Sequence, residues 1–240
     1  MFTQKFQAWV RRWAERAVGV FRDSPITPNM LTLFGLVITG VGALLVATGH
    51  LLTGGLVLAF AGFFDIFDGA LARAAGKVYR YGAFLDSTVD RYSEGVVYLG
   101  ILIYFLDQHD GLRPIIVLIA LAGSFLVSYV RARAQSLGFT CDVGILARPE
   151  RVVIIVAGLL LESFHLNIGV SPLTLALLIL AVGTNFTAVQ RVWVVWQQNR
   201  EELRALRGPA PAASAETAAP APSQPVRTAM RRFFENLGKT

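Results

Sequence analysis

Residues 65–90 read DIFDGALARAAGKVYRYGAFLDSTVD, and four carboxylates, Asp65, Asp68, Asp86 and Asp90, punctuate an otherwise largely apolar stretch. An ionised carboxylate in an apolar setting is costly, so each needs a metal ion, a base or water as partner. A helix advances about 100° per residue, so with Asp65 at zero Asp68, Gly69, Ala72 and Arg73 fall at about −60°, +40°, −20° and +80°. Two acids, two very small residues and one guanidinium thus share a face. Gly82, Asp86 and Asp90 follow at i, i+4 and i+8, a second stripe. Two acidic stripes beside smooth gaps form a cleft for hard divalent cations, and oxygen-only ligands favour Mg²⁺ or Mn²⁺ over zinc. The small residues let a bulky anionic ligand approach the backbone.

Around this stretch the chain is strongly apolar. Of its 240 residues 54% are hydrophobic and 16% charged, with a mean hydropathy of +0.54. Soluble domains carry about 25% charged residues, so the composition indicates a polytopic membrane protein. Six runs approach the ~20 residues needed to cross a bilayer. They lie near 29–49, 52–74, 83–106, 114–137, 150–168 and 172–196. The expected fold is an all-α integral membrane protein with six transmembrane helices and an N-terminal amphipathic interfacial helix.

Lys and Arg set the orientation. They gather before the first run (Lys5, Arg11, Arg12, Arg16, Arg22), between the second and third (Arg73, Lys77, Arg80), between the fourth and fifth (Arg131, Arg133, Arg148, Arg151) and after the sixth (Arg200, Arg204, Arg207). The alternate loops hold essentially Arg113 alone. Both termini and the acidic cleft are therefore expected on the cytoplasmic side of the cell (inner, cytoplasmic) membrane. The net charge of +6 reflects this bias and suits contact with anionic membrane lipids; nucleic-acid binding is not expected, because no soluble domain carries a basic stripe. No cleavable signal peptide is expected. Cys141 is the only cysteine, which excludes an intrachain disulfide.

Three parts are expected along the chain. Residues 1–24 hold a juxtamembrane helix in which Phe2, Phe6, Trp9, Trp13, Ala17 and Val20 recur at helical spacing, a pattern suited to membrane anchoring. Residues 25–200 form the six-helix catalytic domain. Residues 201–240 form a cytoplasmic tail, with a Pro/Ala/Ser-rich linker at 208–225 and a short amphipathic segment from Val226 to Leu237. Thr27-Pro28 suits a helix start, with the proline at the first turn.

The pattern D-x2-D-G-x2-A-R-x8-G-x3-D-x3-D resembles the signature of the CDP-alcohol phosphotransferase family at all eight fixed positions. The resemblance implies transfer of a phosphatidyl group from CDP-diacylglycerol to an alcohol with release of CMP, two Mg²⁺ or Mn²⁺ ions, and a homodimer. It assigns Asp65, Asp68 and Asp86 to metal binding, and Asp90 to proton abstraction with a shared metal contact. Pro28, Asn29 and Thr32 match an element that reaches the CDP moiety. Arg73 would hold a phosphate oxygen, while Gly69, Ala72 and Gly82 would admit the nucleotide. Glu94, one turn past Asp90, is read as a buried polar neighbour and not as a ligand.

The chain also resembles the inositol-phosphate-using branch of that family, on Ser128, Arg131, Arg151 and Arg191. A phosphorylated acceptor needs a cationic pocket, and arginines from three helices would form one. Inositol 1-phosphate is the leading acceptor and glycerol 3-phosphate the alternative, which would make the chain a phosphatidylglycerophosphate synthase. Arg191 lies inside the last apolar run, where topological decoration does not explain it. Arg133 and Arg148 are read as such decoration. A transporter using the acids for ion translocation is the competing class; it would call for pseudo-symmetric halves and broken helices, and neither is found.

Overall fold

The apolar runs become helices in a computed structural model that describes residues 28–74, 80–164 and 169–206, with side chains placed for 29–65, 80–164 and 169–204. These are α1 (Pro28–Ala47), α2 (Leu51–Ala74), α3 (Arg80–Asp107), α4 (Arg113–Ser136), α5 (Arg148–Ser163) and α6 (Pro172–Leu206). Among the described residues there is no strand. The amphipathic helix expected within 1–24, the 208–225 linker and the segment after it lie outside the described residues. The chain divides into units 1–199 and 200–240, and the core and the site both belong to the first.

Among the described residues, three stretches are long and apolar enough to cross a membrane: Asn29–Ala47, Arg113–Ser136 and Pro172–Arg204. Leu51–Asp65 is a shorter apolar helix. The sequence suggests six spans, and the other three helices fall short for physical reasons. The acidic motif interrupts α2 and α3, and α5 has only 16 residues and begins with Arg148 and Arg151.

Local chemistry sets the helix ends. Pro114 occupies the first turn of α4. Just before it, the Asp110 carboxylate accepts the peptide N–H groups of Leu112 (2.9 Å) and Arg113 (2.8 Å). The Arg113 N–H foremost, with help from that of Leu112, holds the Asp110 carboxyl below the ordinary carboxylate range. Gly138 ends α4 at φ +87°; its N–H donates to Gln135, and the Phe139 N–H to Ala134.

Small residues let the helices approach closely. A Cβ added to Gly100 of α3 would run into the Ala43 carbonyl of α1, and one on Gly54 of α2 would lie 3.0 Å from the Gly42 carbonyl. Gly123 of α4 abuts Thr184 and Asn185 of α6, and Gly158 of α5 abuts Ala176. Bundles of membrane helices use the same device, because lipid supplies no hydrophobic force between helices. Accordingly α1 packs on α2 and α3, α2 on α5, and α3 on α4. The core they enclose includes Tyr98, Ile101, Phe105, Val117, Leu159 and Leu177. Its one phenol is satisfied, since the Tyr98 hydroxyl and Ser124 Oγ lie 3.0 Å apart.

One ion pair is sealed inside the bundle. Arg151, 1% exposed, donates from Nε to Glu94 Oε1 (2.7 Å) and from Nη2 to Glu94 Oε2 (3.1 Å), binding α5 to α3. Its Nη1 donates to the Leu146 carbonyl at 3.1 Å. Removing one partner of a buried pair strands the other charge, at a cost of about 3–5 kcal/mol, whereas replacing both by apolar groups is often neutral. Glu94→Gln should therefore lower the melting temperature in detergent markedly, and Glu94→Leu combined with Arg151→Met should recover most of it. Equal melting of wild type and Glu94→Gln would show that the pair does not hold α3 to α5.

Candidate active site

The starts of α1, α3 and α5 meet the part of α2 around Asp65, through contacts of Asn29 with Gly82 and of Arg148 with Asp65 and Asp90. At this end α2 contributes Asp65, and α3 contributes Asp86 and Asp90 one turn apart. One carboxylate oxygen from each of the three lies within 4.8 Å of the others. Asp65 and Asp90 are half-buried and Asp86 is exposed, so the cluster opens outward from the bundle. Asp68, Gly69, Ala72 and Arg73 continue α2 as helical backbone, and their side chains lie outside the described residues.

The donor set fits a hard divalent ion. It offers only oxygens, and opposite ligands of an octahedral Mg²⁺ lie about 4.2 Å apart, so a small closure suffices. Beside the cluster lies a cavity of about 60 Å³, lined by Thr32, Asp65, Ser93, Glu94 and Arg148 among others. Most of its wall is apolar, from residues such as Leu36, Leu58, Val89 and Ile155, and the named polar groups stand at points on it. Asn29, at the start of α1, stands over Gly82, at the start of α3: a Cβ on Gly82 would lie 3.5 Å from Asn29 Oδ1. Two of the residues matched to nucleotide binding are thus neighbours, and Thr32 borders the cavity. Pro28 begins α1.

Arg148 departs from the sequence reading. It is not a decorating charge: its Nη1 donates to Asp65 Oδ2 at 2.5 Å, and its Nη2 lies 3.0 Å from Asp90 Oδ1. Arg91 approaches Asp90 more loosely, at 3.7 Å, while its Nη1 donates to the Ser87 carbonyl at 2.6 Å. The missed signal was spacing. Arg148 and Arg151 are i, i+3 on α5, and they meet Asp90 and Glu94, which are i, i+4 on α3. Arg133 is exposed and reaches Ser136 Oγ only at 3.5 Å, which agrees with decoration.

The four residues matched to the acceptor occupy three settings. Arg151 and Ser128 meet at 3.5 Å in the interior, with Arg151 committed to Glu94. Arg191 is buried and donates to the Val143 carbonyl (2.8 Å) and the Val127 carbonyl (2.6 Å). Arg131 is exposed and pairs with Asp142 at 2.7 Å. The loop 137–147 passes over all of them. Gly144, at φ +129°, lets it lie against α6, where a Cβ would meet Thr187 at 2.5 Å and Arg191 Nε at 3.4 Å. Gln198 pins the same loop through Thr140, donating to its carbonyl at 2.6 Å and accepting its N–H at 3.1 Å. Near Arg191, the buried Thr187 Oγ1 and Gln190 Oε1 have no hydrogen-bond partner among the described residues.

With this geometry the chain can be set beside known proteins. The CDP-alcohol phosphatidyltransferase family profile matches residues 25–198. Phosphatidylinositol phosphate synthase of Mycobacterium tuberculosis is 38% identical over 174 residues, covering 71% of this chain and 80% of that protein. Archaetidylinositol phosphate synthase of Methanothermobacter thermautotrophicus is 40% identical over 173 residues, covering 71% and 83%. The crystal structure of the M. tuberculosis synthase with CDP-DAG bound superposes with a TM-score of 0.72 at 33% identity, over 87% of this chain and 100% of that one. Its complex with manganese and citrate gives a TM-score of 0.70 at 32% identity, over 88% and 96%. The profile spans most of the chain, and the clustered carboxylates occupy signature positions: the chain belongs to the CDP-alcohol phosphatidyltransferase family.

Proposed function

We propose that the protein transfers the phosphatidyl group of CDP-diacylglycerol to a hydroxyl of inositol 1-phosphate, giving phosphatidylinositol phosphate and CMP. The observation that carries this reading is the gathering of Asp65, Asp86 and Asp90, with oxygens within 4.8 Å, in a bundle whose α4, α5 and α6 also carry Arg131, Arg151 and Arg191. The names and complexes of the relatives supply the donor and the acceptor class.

In the reaction, the acceptor hydroxyl oxygen bonds to the lipid-side phosphorus of the pyrophosphate, and the bond from that phosphorus to the CMP oxygen breaks. Asp90 takes the hydroxyl proton, a role suited to a half-buried carboxylate. Asp65, Asp68, Asp86 and Asp90 hold two Mg²⁺ or Mn²⁺ ions, which when bound polarise the phosphate and neutralise the leaving oxygen. Pro28, Asn29, Thr32, Gly69, Ala72 and Gly82 seat the CDP moiety. Arg73 pairs with a phosphate oxygen through its forked donors.

Ser128, Arg131, Arg151 and Arg191 receive the acceptor phosphate. Arg131 is the one whose present partner is easily exchanged. Its pair with Asp142 is exposed, and such pairs contribute about 0–1 kcal/mol, so a phosphate dianion can displace the aspartate. The orphan acceptors Thr187 Oγ1 and Gln190 Oε1 suit a polyol better than an apolar alcohol.

The protein crosses the cell (inner, cytoplasmic) membrane six times as a homodimer. Both termini and the site face the cytoplasm, and an N-terminal helix lies on the membrane surface. Residues 25–200 form the catalytic domain between the 1–24 helix and the 201–240 tail.

CMP release by purified protein, with CDP-diacylglycerol, Mg²⁺ and single acceptors, tests the reading. Release should require inositol 1-phosphate. Release with glycerol 3-phosphate or serine instead would keep the carboxylate site and discard this acceptor. Asp90→Asn should cut turnover about 10²–10⁴-fold while CDP-lipid still binds; near-normal turnover would remove Asp90 from proton abstraction. Arg131→Ala should raise KM for the acceptor about tenfold and leave KM for CDP-diacylglycerol unchanged, since a charge-assisted hydrogen bond contributes about 1.5–3 kcal/mol. An unchanged acceptor KM would place the acceptor phosphate away from Arg131.

A further inference from the structure

We propose that Arg148 is a positioning residue for the divalent-ion site: by bridging Asp65 and Asp90, it sets the separation of carboxylates that come from two different helices. The inference rests on the metal reading above and adds a residue outside the signature.

Three features carry it. First, Arg148 makes one contact to each carboxylate, Nη1 to Asp65 Oδ2 and Nη2 to Asp90 Oδ1, so it leaves the second oxygen of each aspartate uncommitted to itself; Asp90 Oδ2 has only the loose approach of Arg91 at 3.7 Å. Second, the arginine is itself held in place. It opens α5, and one turn on Arg151 is locked to Glu94, so the two arginines form rungs of one ladder between α5 and α3. Third, its buried Nε has no partner among the described residues, so the two carboxylates account for the polar contacts of this side chain. Carboxylates this close repel one another, and without a bridging cation they would turn apart toward solvent.

The sign of the effect separates this role from simple electrostatics. Arg148 is a cation beside a cation site. Coulomb repulsion alone predicts that removing its charge would tighten divalent binding. Positioning predicts the reverse, and loss of such supporting contacts typically weakens metal affinity by about 10–100-fold.

The experiment is Mn²⁺ binding followed by electron paramagnetic resonance, on full-length protein in detergent, with no nucleotide lipid and no acceptor. Arg148→Gln should bind Mn²⁺ at least about tenfold more weakly than wild type. Arg148→Lys should be intermediate, because one ammonium cannot take both carboxylates in a fixed fork. Arg133→Gln, which removes an exposed charge elsewhere, should match wild type. Equal or tighter binding by Arg148→Gln overturns the inference. Melting curves recorded without metal show whether Arg148→Gln is folded; if it is not, Arg148→Lys decides, and wild-type affinity in that variant overturns the inference. Wild-type protein that takes up no Mn²⁺ overturns the metal reading and this inference together, whereas an unexpected acceptor in the CMP assay touches neither.

Discussion

An ionised group inside an apolar bundle must have a partner, and this constraint organises the interior of the protein. The structure meets it with a ladder between α3 and α5. Glu94 and Arg151 form its sealed rung, and Asp90 with Arg148 forms the one beside the site. The second arm of Arg148, to Asp65, ties in α2 as well. Three helices are thereby joined by charges in and beside the carboxylate cluster. The sealed rung has its donors and acceptors largely satisfied, and the outer one keeps carboxylate oxygens available. Stability and reactivity thus divide along one pair of helices, according to depth.

Close packing of the neighbouring helices frames that ladder. Gly100 against Ala43, Gly54 against Gly42 and Gly123 against Thr184 bring α3 and α2 onto α1 and α4 onto α6, while the long side chains of Arg151 and Glu94 span from α5 to α3. The loop 137–147 then closes the end of the bundle, held by Arg191 and Gln198. The Val143 carbonyl of this loop and the Val127 carbonyl of α4 satisfy Arg191 within the protein, which keeps that charge in place.

The carboxylate site was legible in the sequence because its information is periodic. Asp65, Asp86 and Asp90 sit at fixed helical spacings, and a helix turns spacing into shared direction. The all-helical fold was legible for the same reason. Membrane crossing was harder to read. Six apolar runs are visible, yet among the described residues only three stretches carry the full length and apolarity, because the motif places charge in α2 and α3 and α5 is short. Arg148 was misread because charge counting sees a basic loop, whereas the contact depends on which face α5 turns toward α3. That rotation comes from packing between elements and is not written in either helix alone. The pairing of Arg151 with Glu94 was hidden likewise: each residue stood out, but their partnership spans 57 positions.

The three acceptor-side arginines differ in how freely they can change partners, and this bears on how a phosphate would be received. Arg151 is bound along its Nε–Nη2 edge to a buried carboxylate, and exchanging that partner would strand Glu94. Arg191 is bound to neutral carbonyls, which lose little when a dianion competes for the same guanidinium. Arg131 holds an exposed carboxylate that water can solvate once it is released. In the acceptor role proposed above, an incoming phosphate would meet a graded set: Arg131 would yield first, Arg191 would add charge from beneath, and Arg151 would serve mainly as a fixed positive floor. Such a gradient lets the site hold three cations close together without an anion present. Each has a partner matched to its depth, and only the outermost must be given up for binding.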